Sequence, residues 1–134
     1  MKTLLTILKY LWASPTTCVG LLLVPPTLMT RGRLQFVSGV LELHGGIVRW
    51  ILERLVPLPG GASAMTLGHV VIGRNLECLE RTRNHERVHV RQVERWGLFF
   101  IPAYLGCSLW LRLRGKNCYL DNPFEKEAYA AEFE

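Results

Sequence analysis

A long helix that carries two histidines one turn apart is predicted for residues 76–96. Asn75 is a suitable N-cap before this span, and Gly97 is a typical helix stop after it. His85 and His89 are four residues apart, so a helix presents both imidazoles on one face. The rest of the chain must therefore fold in a way that accommodates this pair.

The distribution of side chains around this helix indicates which face is buried. Val88, Gln92 and Trp96 fall on the same side as the histidines. The opposite side carries a row of arginines, which we expect to be solvated or to rest on anionic headgroups: Arg83, Arg87, Arg91 and Arg95. The histidines are therefore predicted to point into the fold, where neutral imidazoles need polar partners.

The spacing of the histidines is that of a zinc site. Zinc–nitrogen bonds are only about 2.0–2.1 Å long, so two imidazoles one turn apart can share one ion. Glu86 lies about 100° around the helix from His85, which suits a base beside a metal-bound water better than a third ligand. His-Glu-x-x-His on a helix is typical of zinc peptidases. The alternative is a non-catalytic, membrane-associated protein whose metal site is structural or absent.

A catalytic zinc needs a third protein ligand, and the C-terminal residues offer few. Asn122 is a suitable N-cap and Pro123 suits the first turn of a last helix. Glu125 can face inwards from this helix, whereas Glu127 lies about 200° away and is expected to be solvated. Glu125 is therefore the predicted third ligand. The alternative role for Glu125 is an acid favoured by the dipole of a first helical turn.

These two elements resemble those of the gluzincin metallopeptidases, in which a helical His-Glu-x-x-His is completed by a Glu on a later helix. Residues 85–89 match the first element, and residues 122–129 are similar to the second. Over residues 64–134 the chain looks most like the minimal gluzincins. In the membrane-associated relatives an Asp follows the Glu-x-x-Ala, but here Tyr129 stands in its place. We therefore expect Asn122 or a backbone carbonyl to support His89.

The resemblance implies an α+β fold, in which a small sheet packs on the active-site helix and on a C-terminal glutamate helix. It implies that Zn²⁺ is bound and that peptide bonds are hydrolysed, with Glu86 as general base on a zinc-bound water. It also implies that an edge strand, here Met65–Ile72, binds the substrate as an added strand. An oxyanion donor is needed too, and several candidates stay open: Tyr104, Tyr119, Tyr129 and His69. Gln92 either supports the metal site or is a plain buried amide.

Residues 1–33 form an apolar segment ahead of a predicted zincin-like domain at 34–134. No charge occurs from Tyr10 to Thr30, and three prolines interrupt the run. This pattern predicts two short helices or a hairpin, divided at Ser14-Pro15. The segment either lies in a membrane or covers the catalytic core. Flanking Lys and Arg residues favour the cytoplasmic side of a membrane, with a soluble cytoplasmic protein as the alternative.

The distribution of charge along the chain supports the prediction that residues 1–33 lie in a membrane. Net charge is +5, and residues 1–60 carry six Lys or Arg against two Glu, whereas residues 61–134 carry ten against nine acids. A basic excess in the most apolar part favours an anionic membrane surface. Nucleic acid is not expected as a partner, because no basic patch with interleaved aromatic residues is present. The four cysteines have no regular spacing and are expected to be free thiols.

The remaining residues predict short elements around the site. Residues 34–44 and 65–72 each read as one strand, from their alternating apolar residues. Residues 47–56 suit a short amphipathic helix, although a strand stays open. Residues 57–63, with Pro59-Gly60-Gly61, are a loop. Residues 98–113 are predicted to form an apolar helix, either in the core or at an interface.

Overall fold

The computed structural model describes residues 1–131. The helices are α1 (Lys2–Leu21), α2 (Val24–Met29), α3 (Gly46–Arg54), α4 (Leu76–Trp96), α5 (Phe100–Leu113) and α6 (Pro123–Ala131), with a 3₁₀ turn at Gly97–Phe99. The strands are β1 (Arg33–Val37), β2 (Val40–His44), β3 (Ala64–Leu67) and β4 (Val70–Gly73). The predicted α+β class is confirmed.

In the described part of the chain, the strands form one mixed sheet in the order β1-β2-β4-β3. The inner pair β2 and β4 is parallel, with Leu41 opposite Val70. Each edge strand is antiparallel to its neighbour, with Arg33 opposite His44 in β1–β2 and Ala64 opposite Gly73 in β3–β4. Since β3 is an edge, one side of its backbone is not paired within the sheet.

Aliphatic side chains cover both faces of the sheet. One face packs against α3 through a buried cluster: Leu41, Leu43, Val48, Leu52, Val70 and Ile72. The other face packs against α4 through Val40, Val71, Leu79 and Val90. Successive strand residues point to opposite faces, so one strand can supply both layers. The sheet thereby holds α4, with its two histidines, between itself and the C-terminal helix α6.

Both predicted strands prove to be hairpins, so the prediction of a single strand was wrong at 34–44 and at 65–72. The first reverses at Ser38 and Gly39, which have φ of 51° and 81°. Two positive φ values in a two-residue turn match the right-handed twist of the strands on either side. The second reverses at Gly68, with φ of 67°, and His69. A two-residue turn hardly interrupts an alternating pattern, which is why the turns were missed.

The N-terminal helix runs through Pro15 without a break, so the predicted division at Ser14-Pro15 was wrong. A proline inside a helix removes one backbone hydrogen bond, but tertiary contacts hold the second half of α1 in place. Gly20 lies so close to Val70 that an added Cβ would be 2.6 Å from the valine Cβ. Thr17 Oγ1 accepts a hydrogen bond of 3.0 Å from the backbone N–H of His69. The second half of α1 thus packs on the β3–β4 hairpin.

Half of the arginine row on α4 is not a solvated face, which corrects the expectation for Arg83 and Arg87. Both side chains reach the buried carboxylate of Glu42 on β2, at 2.8 and 3.1 Å. Burial alone would raise the pKa of Glu42, but hydrogen bonds from Arg83 and Gln35 outweigh it and lower the pKa. Glu42 was missed because a buried acid in an apolar strand has no local signature.

The predicted helices are otherwise confirmed. α4 has the predicted bounds, and its N-cap Asn75 accepts a hydrogen bond of 2.8 Å from the N–H of Cys78. Arg91 and Arg95 are exposed, as expected, but Trp96 is 42% exposed rather than buried. The cysteines are free thiols, as predicted: Cys18, Cys78, Cys107 and Cys118.

Two helical stretches are long and apolar enough to cross a membrane, judged by length and composition alone: Lys2–Met29 and Leu76–Leu113. The second stretch joins α4, which packs on the sheet, to α5, which contacts α4 and the 3₁₀ turn. Apolar surface is therefore offered by α5 and by the first half of α1.

Candidate metal centre

Two helices bring three buried side chains together at one point. His85 and His89 lie on α4, one turn apart, with their rings 5.0 Å apart and nearly perpendicular. Glu125, in the first turn of α6, faces both. Its Oε2 lies 3.0 Å from Nε2 of His85, and its Oε1 lies 3.1 Å from Nε2 of His89. The structure thus gathers all three residues that the sequence singled out as metal ligands.

The donor set fits a zinc ion. One ligand atom from each of His85, His89 and Glu125 can be chosen so that all lie within 4.8 Å of one another. Two ligands bonded to one zinc at about 2.0–2.2 Å in a tetrahedral arrangement are roughly 3.4 Å apart. The observed separations between the carboxylate and the two imidazoles are close to that value. Two imidazoles and one carboxylate are also the ligand types of catalytic zinc sites that keep an open position.

Without a metal, charge at this centre is balanced by an ion pair between the protonated His89 and the Glu125 carboxylate. Burial alone would raise the pKa of Glu125, but hydrogen bonds from His85 and His89 hold it at about 2. Burial alone would lower the pKa of His89, but its hydrogen bond to Glu125 and the charge of Glu86 raise it to about 9. A cation between these groups would replace the proton on His89.

Gln92 supports His89 from one turn further along α4. His89 Nδ1 lies 2.8 Å from Gln92 Oε1, and the amide Nε2 donates to the backbone carbonyl of Phe124 at 3.0 Å. Since an amide oxygen accepts, Nδ1 donates to Gln92, and Nε2 is the nitrogen that faces Glu125. Gln92 therefore fixes both the orientation of the ring and which nitrogen faces the centre. It also ties α4 to the start of α6.

Asn122 does not support His89, which corrects that expectation. Its Oδ1 accepts from the N–H of Phe124 at 3.0 Å, which is the predicted N-cap role. Its Nδ2 donates to Ser108 Oγ at 2.9 Å and to the carbonyl of Tyr104 at 3.1 Å. Asn122 thus anchors the start of α6 to α5, and so places Glu125.

Glu86 is buried on α4 beside the histidines, and Thr66 of the edge strand β3 binds it. The Thr66 hydroxyl lies 2.6 Å from Glu86 Oε2. Burial raises the pKa of Glu86, although the charge of His89 and the Thr66 hydrogen bond oppose this. Sequence reasoning missed Thr66. It is the polar residue between Met65 and Leu67, and that alternation could have indicated a side chain facing α4.

The three tyrosines predicted as possible oxyanion donors have different hydrogen-bond partners. Tyr104 donates to Glu125 Oε1 at 2.7 Å, so its hydroxyl is already used to hold a predicted ligand. The hydroxyls of Tyr119 and Tyr129 are 3.0 Å apart, and the Tyr129 ring packs edge-on against His85. Burial raises the pKa of Tyr119, so this hydroxyl stays a donor at neutral pH. Tyr119 and Tyr129 are therefore the candidates that remain beside the centre.

His69 lies elsewhere, at the β3–β4 turn beneath α1. Its ring stacks on Tyr10 with centroids 3.8 Å apart, and Nε2 is 3.8 Å from Glu94. Burial lowers the pKa of His69, and the Glu94 carboxylate opposes this. The structure therefore places His69 in the packing of α1 rather than in the centre.

A cleft of two lobes opens onto Glu86 and Tyr119. One lobe, of about 740 Å³, has polar and apolar walls in about equal measure, with Arg112 and Lys116 among its lining residues. The other, of about 430 Å³, has mostly apolar walls from β3 and α5: Met65, Leu67, Phe100, Ile101, Tyr104 and Leu105. Among the described residues, every residue that lines either lobe falls between 56 and 129. The N-terminal helices thus do not cover the cleft.

No protein-family model, curated protein or solved structure matches this chain. Any assignment of function therefore depends on the residues and geometry described above.

Proposed function

We propose that this chain is a zinc-dependent metallopeptidase of the gluzincin type. The observation that carries the proposal is the position of Glu86, a buried carboxylate beside three converging donor side chains and open to a cleft. A structural metal site would not require this extra acid. His85 Nε2, His89 Nε2 and the Glu125 carboxylate would hold the zinc. When bound, zinc supplies a Lewis acid that lowers the pKa of a water and polarises a carbonyl.

Glu86 would act as the general base and then as the general acid. Thr66 holds Oε2, which leaves Oε1 to take a proton from the attacking water and pass it to the leaving amine. Its raised pKa favours acceptance of that proton. Tyr119 and Tyr129, which line the same cleft, are the proposed donors to the oxyanion.

The substrate would be a polypeptide in extended conformation. β3 is an edge of the sheet, and its Thr66 touches Glu86. A peptide that added to this edge as a further strand would lie across the centre. Backbone hydrogen bonds along β3 would then position the scissile bond whatever the side chains, and the two lobes would select among sequences.

The proposed place of action is the surface of an anionic membrane, on its cytoplasmic side. Support comes from the first half of α1, where Leu4, Leu8 and Leu11 are exposed on the same helix as Lys2 and Lys9. Exposed leucines beside cations favour anionic lipid over water.

The test of the peptidase is Glu86→Gln in the full chain, with Glu80→Gln as the matched control on the exposed side of α4. Wild type should bind one zinc and cleave an unfolded protein or a peptide library. Glu86→Gln should keep the zinc and the fold but lose about 10²–10⁴-fold in rate, because an amide cannot accept the water proton. Glu80→Gln should match wild type.

Two results would contradict the proposal. One is a zinc-loaded wild type that cleaves nothing in the library, and the other is Glu86→Gln cleaving as fast as Glu80→Gln. Either would favour the non-catalytic, membrane-associated alternative.

A further inference from the structure

Helix α5 carries apolar side chains around most of its circumference. All 14 of its residues are described, and among them Phe100 alone is buried. Large apolar side chains point outwards along its length: Ile101, Leu105, Leu109, Trp110 and Leu113. In a soluble domain an apolar helix of this kind is normally buried, and an exposed apolar patch of this length indicates a binding surface.

Trp12 joins this surface to the exposed half of α1. Its ring packs on Phe99 with centroids 6.2 Å apart, and its Nε1 donates to the carbonyl of Arg95 at 3.3 Å. The indole also lies against Gly97, where a Cβ would not fit. Trp12 thus anchors α1 to the turn that precedes α5.

The charges next to this surface favour lipid as its occupant. Arg112, Arg114 and Lys116 stand at the C-terminal end of α5, and Lys2 and Lys9 stand on α1. The Arg114 guanidinium lies 5.3 Å from the centre of the Trp110 ring. Tryptophan and cations at the margin of an apolar helix are typical of a membrane interface, where cations meet anionic headgroups.

The same helix forms a wall of the catalytic cleft. Phe100, Ile101, Tyr104 and Leu105 line the apolar lobe, and Tyr104 donates to Glu125. Ile101 and Leu105 line this lobe and are 38% and 59% exposed, so the lobe is open to the surroundings at α5. The larger lobe, with Lys116, shares Glu86 and Tyr119, among other residues, with the apolar lobe.

We propose that α5 lies in the surface of an anionic bilayer and that the apolar lobe of the cleft opens towards the lipid. The substrates are then apolar polypeptide segments within or next to the membrane, which are drawn into the apolar lobe. This inference rests on the peptidase function proposed above, and it names the substrate class for that site.

The position of α5 is tested by quenching of tryptophan fluorescence in vesicles of phosphatidylcholine and phosphatidylglycerol with brominated acyl chains. In the full chain, Trp110→Phe should remove a large part of the emission that the lipid quenches. Trp50→Phe is the matched control, because Trp50 is 51% exposed but lies on α3. If the two substitutions change the quenching equally, α5 does not lie in the bilayer and the proposal is overturned.

The substrate class is tested with one peptide in two forms, free and anchored in the same vesicles by an added apolar segment. Wild type should cleave the anchored form about tenfold faster or more, because anchoring raises its local concentration at the cleft. Leu109→Glu should lose that preference, since Leu109 is 59% exposed on the outer side of α5. Leu55→Glu, at a leucine 61% exposed after α3, should keep it.

The outcomes separate the two proposals. Cleavage of both forms at equal rates, or a preference that survives Leu109→Glu, overturns the substrate class and leaves the peptidase standing. Cleavage of neither form by zinc-loaded protein, with Trp110 quenched by lipid, overturns the peptidase and the substrate class with it.

Discussion

Gln92 is the residue on which the orientation of His89 depends. Its amide accepts from Nδ1 of His89 and donates to the carbonyl of Phe124, so one side chain serves the predicted ligand and the helix that carries Glu125. Partners of this kind typically change metal affinity by about 10–100-fold when they are removed. Local spacing alone left two roles open for Gln92, support of the metal site or a plain buried amide. Its contact with His89 favours support of the site, and its contact with Phe124, 32 residues away, was not visible in the spacing.

We expect Gln92→Leu to weaken zinc binding by about 10–100-fold, because His89 loses the acceptor that orients its ring. Competition with a chromophoric chelator measures the affinity. Gln35→Leu is the control, since Gln35 on β1 donates to Glu42 on β2 and not to a predicted ligand. Equal affinity in the two variants would show that Gln92 is only a buried amide.

At the scale of single elements, α1 shows how tertiary packing overrides a local signal. Pro15 predicts a break, yet the helix continues to Leu21 because its second half fits the β3–β4 hairpin. Gly20 permits the closest approach, against Val70. In the two hairpins the local signal was missing instead of misleading. Their turns need a few special φ values, which an alternating apolar pattern does not reveal.

Gly20→Ala should destabilise the protein by about 1–3 kcal/mol, because the new methyl group would meet the Val70 side chain inside the core. Denaturant unfolding measures this. Gly106→Ala is the matched control, since a Cβ on Gly106 of α5 would have no atom within 4 Å. There we expect no loss and up to about 1 kcal/mol of gain from helix propensity. A Gly20→Ala protein as stable as wild type would mean that α1 does not pack as described.

For the whole molecule, the candidate metal centre links stability to pH. In zinc-free protein, the His89 pKa of about 9 exceeds its ordinary 6.5, so its contribution is complete below pH 6.5 and is lost as pH rises through 9. The Glu125 pKa of about 2 lies below its ordinary 4.5, so its contribution is complete above pH 4.5 and is lost as pH falls through 2. Both contributions are complete only between those limits, from pH 4.5 to 6.5.

We therefore expect the free energy of unfolding of chelator-treated protein to fall as pH rises from 6.5 to 9. Denaturant unfolding across that range measures it. His89→Gln should remove this alkaline decrease. Added zinc should release protons and reverse the decrease, because a metal ligand must be deprotonated and zinc affinity rises with pH. A wild-type protein whose stability does not change between pH 6.5 and 9 would contradict the charge arrangement at His89 and Glu125.

Local rules determined the elements that carry the candidate site. Histidine spacing, the Asn75 cap, the Gly97 stop and Asn122-Pro123 are signals read within a few residues, so α4 and the start of α6 were predicted correctly. The helical period also predicted the inward face of the histidines. These features depend on backbone geometry that is the same in any fold.

Only the tertiary structure decided which side chains meet. Thr66 reaches Glu86 across 20 residues, Arg83 reaches Glu42 across 41, and Tyr104 reaches Glu125 across 21. Contacts between residues so far apart in sequence depend on how strands and helices pack, and no periodic pattern encodes them. The sequence by itself therefore determined the helices that present the candidate ligands, whereas packing decided what surrounds and orients them.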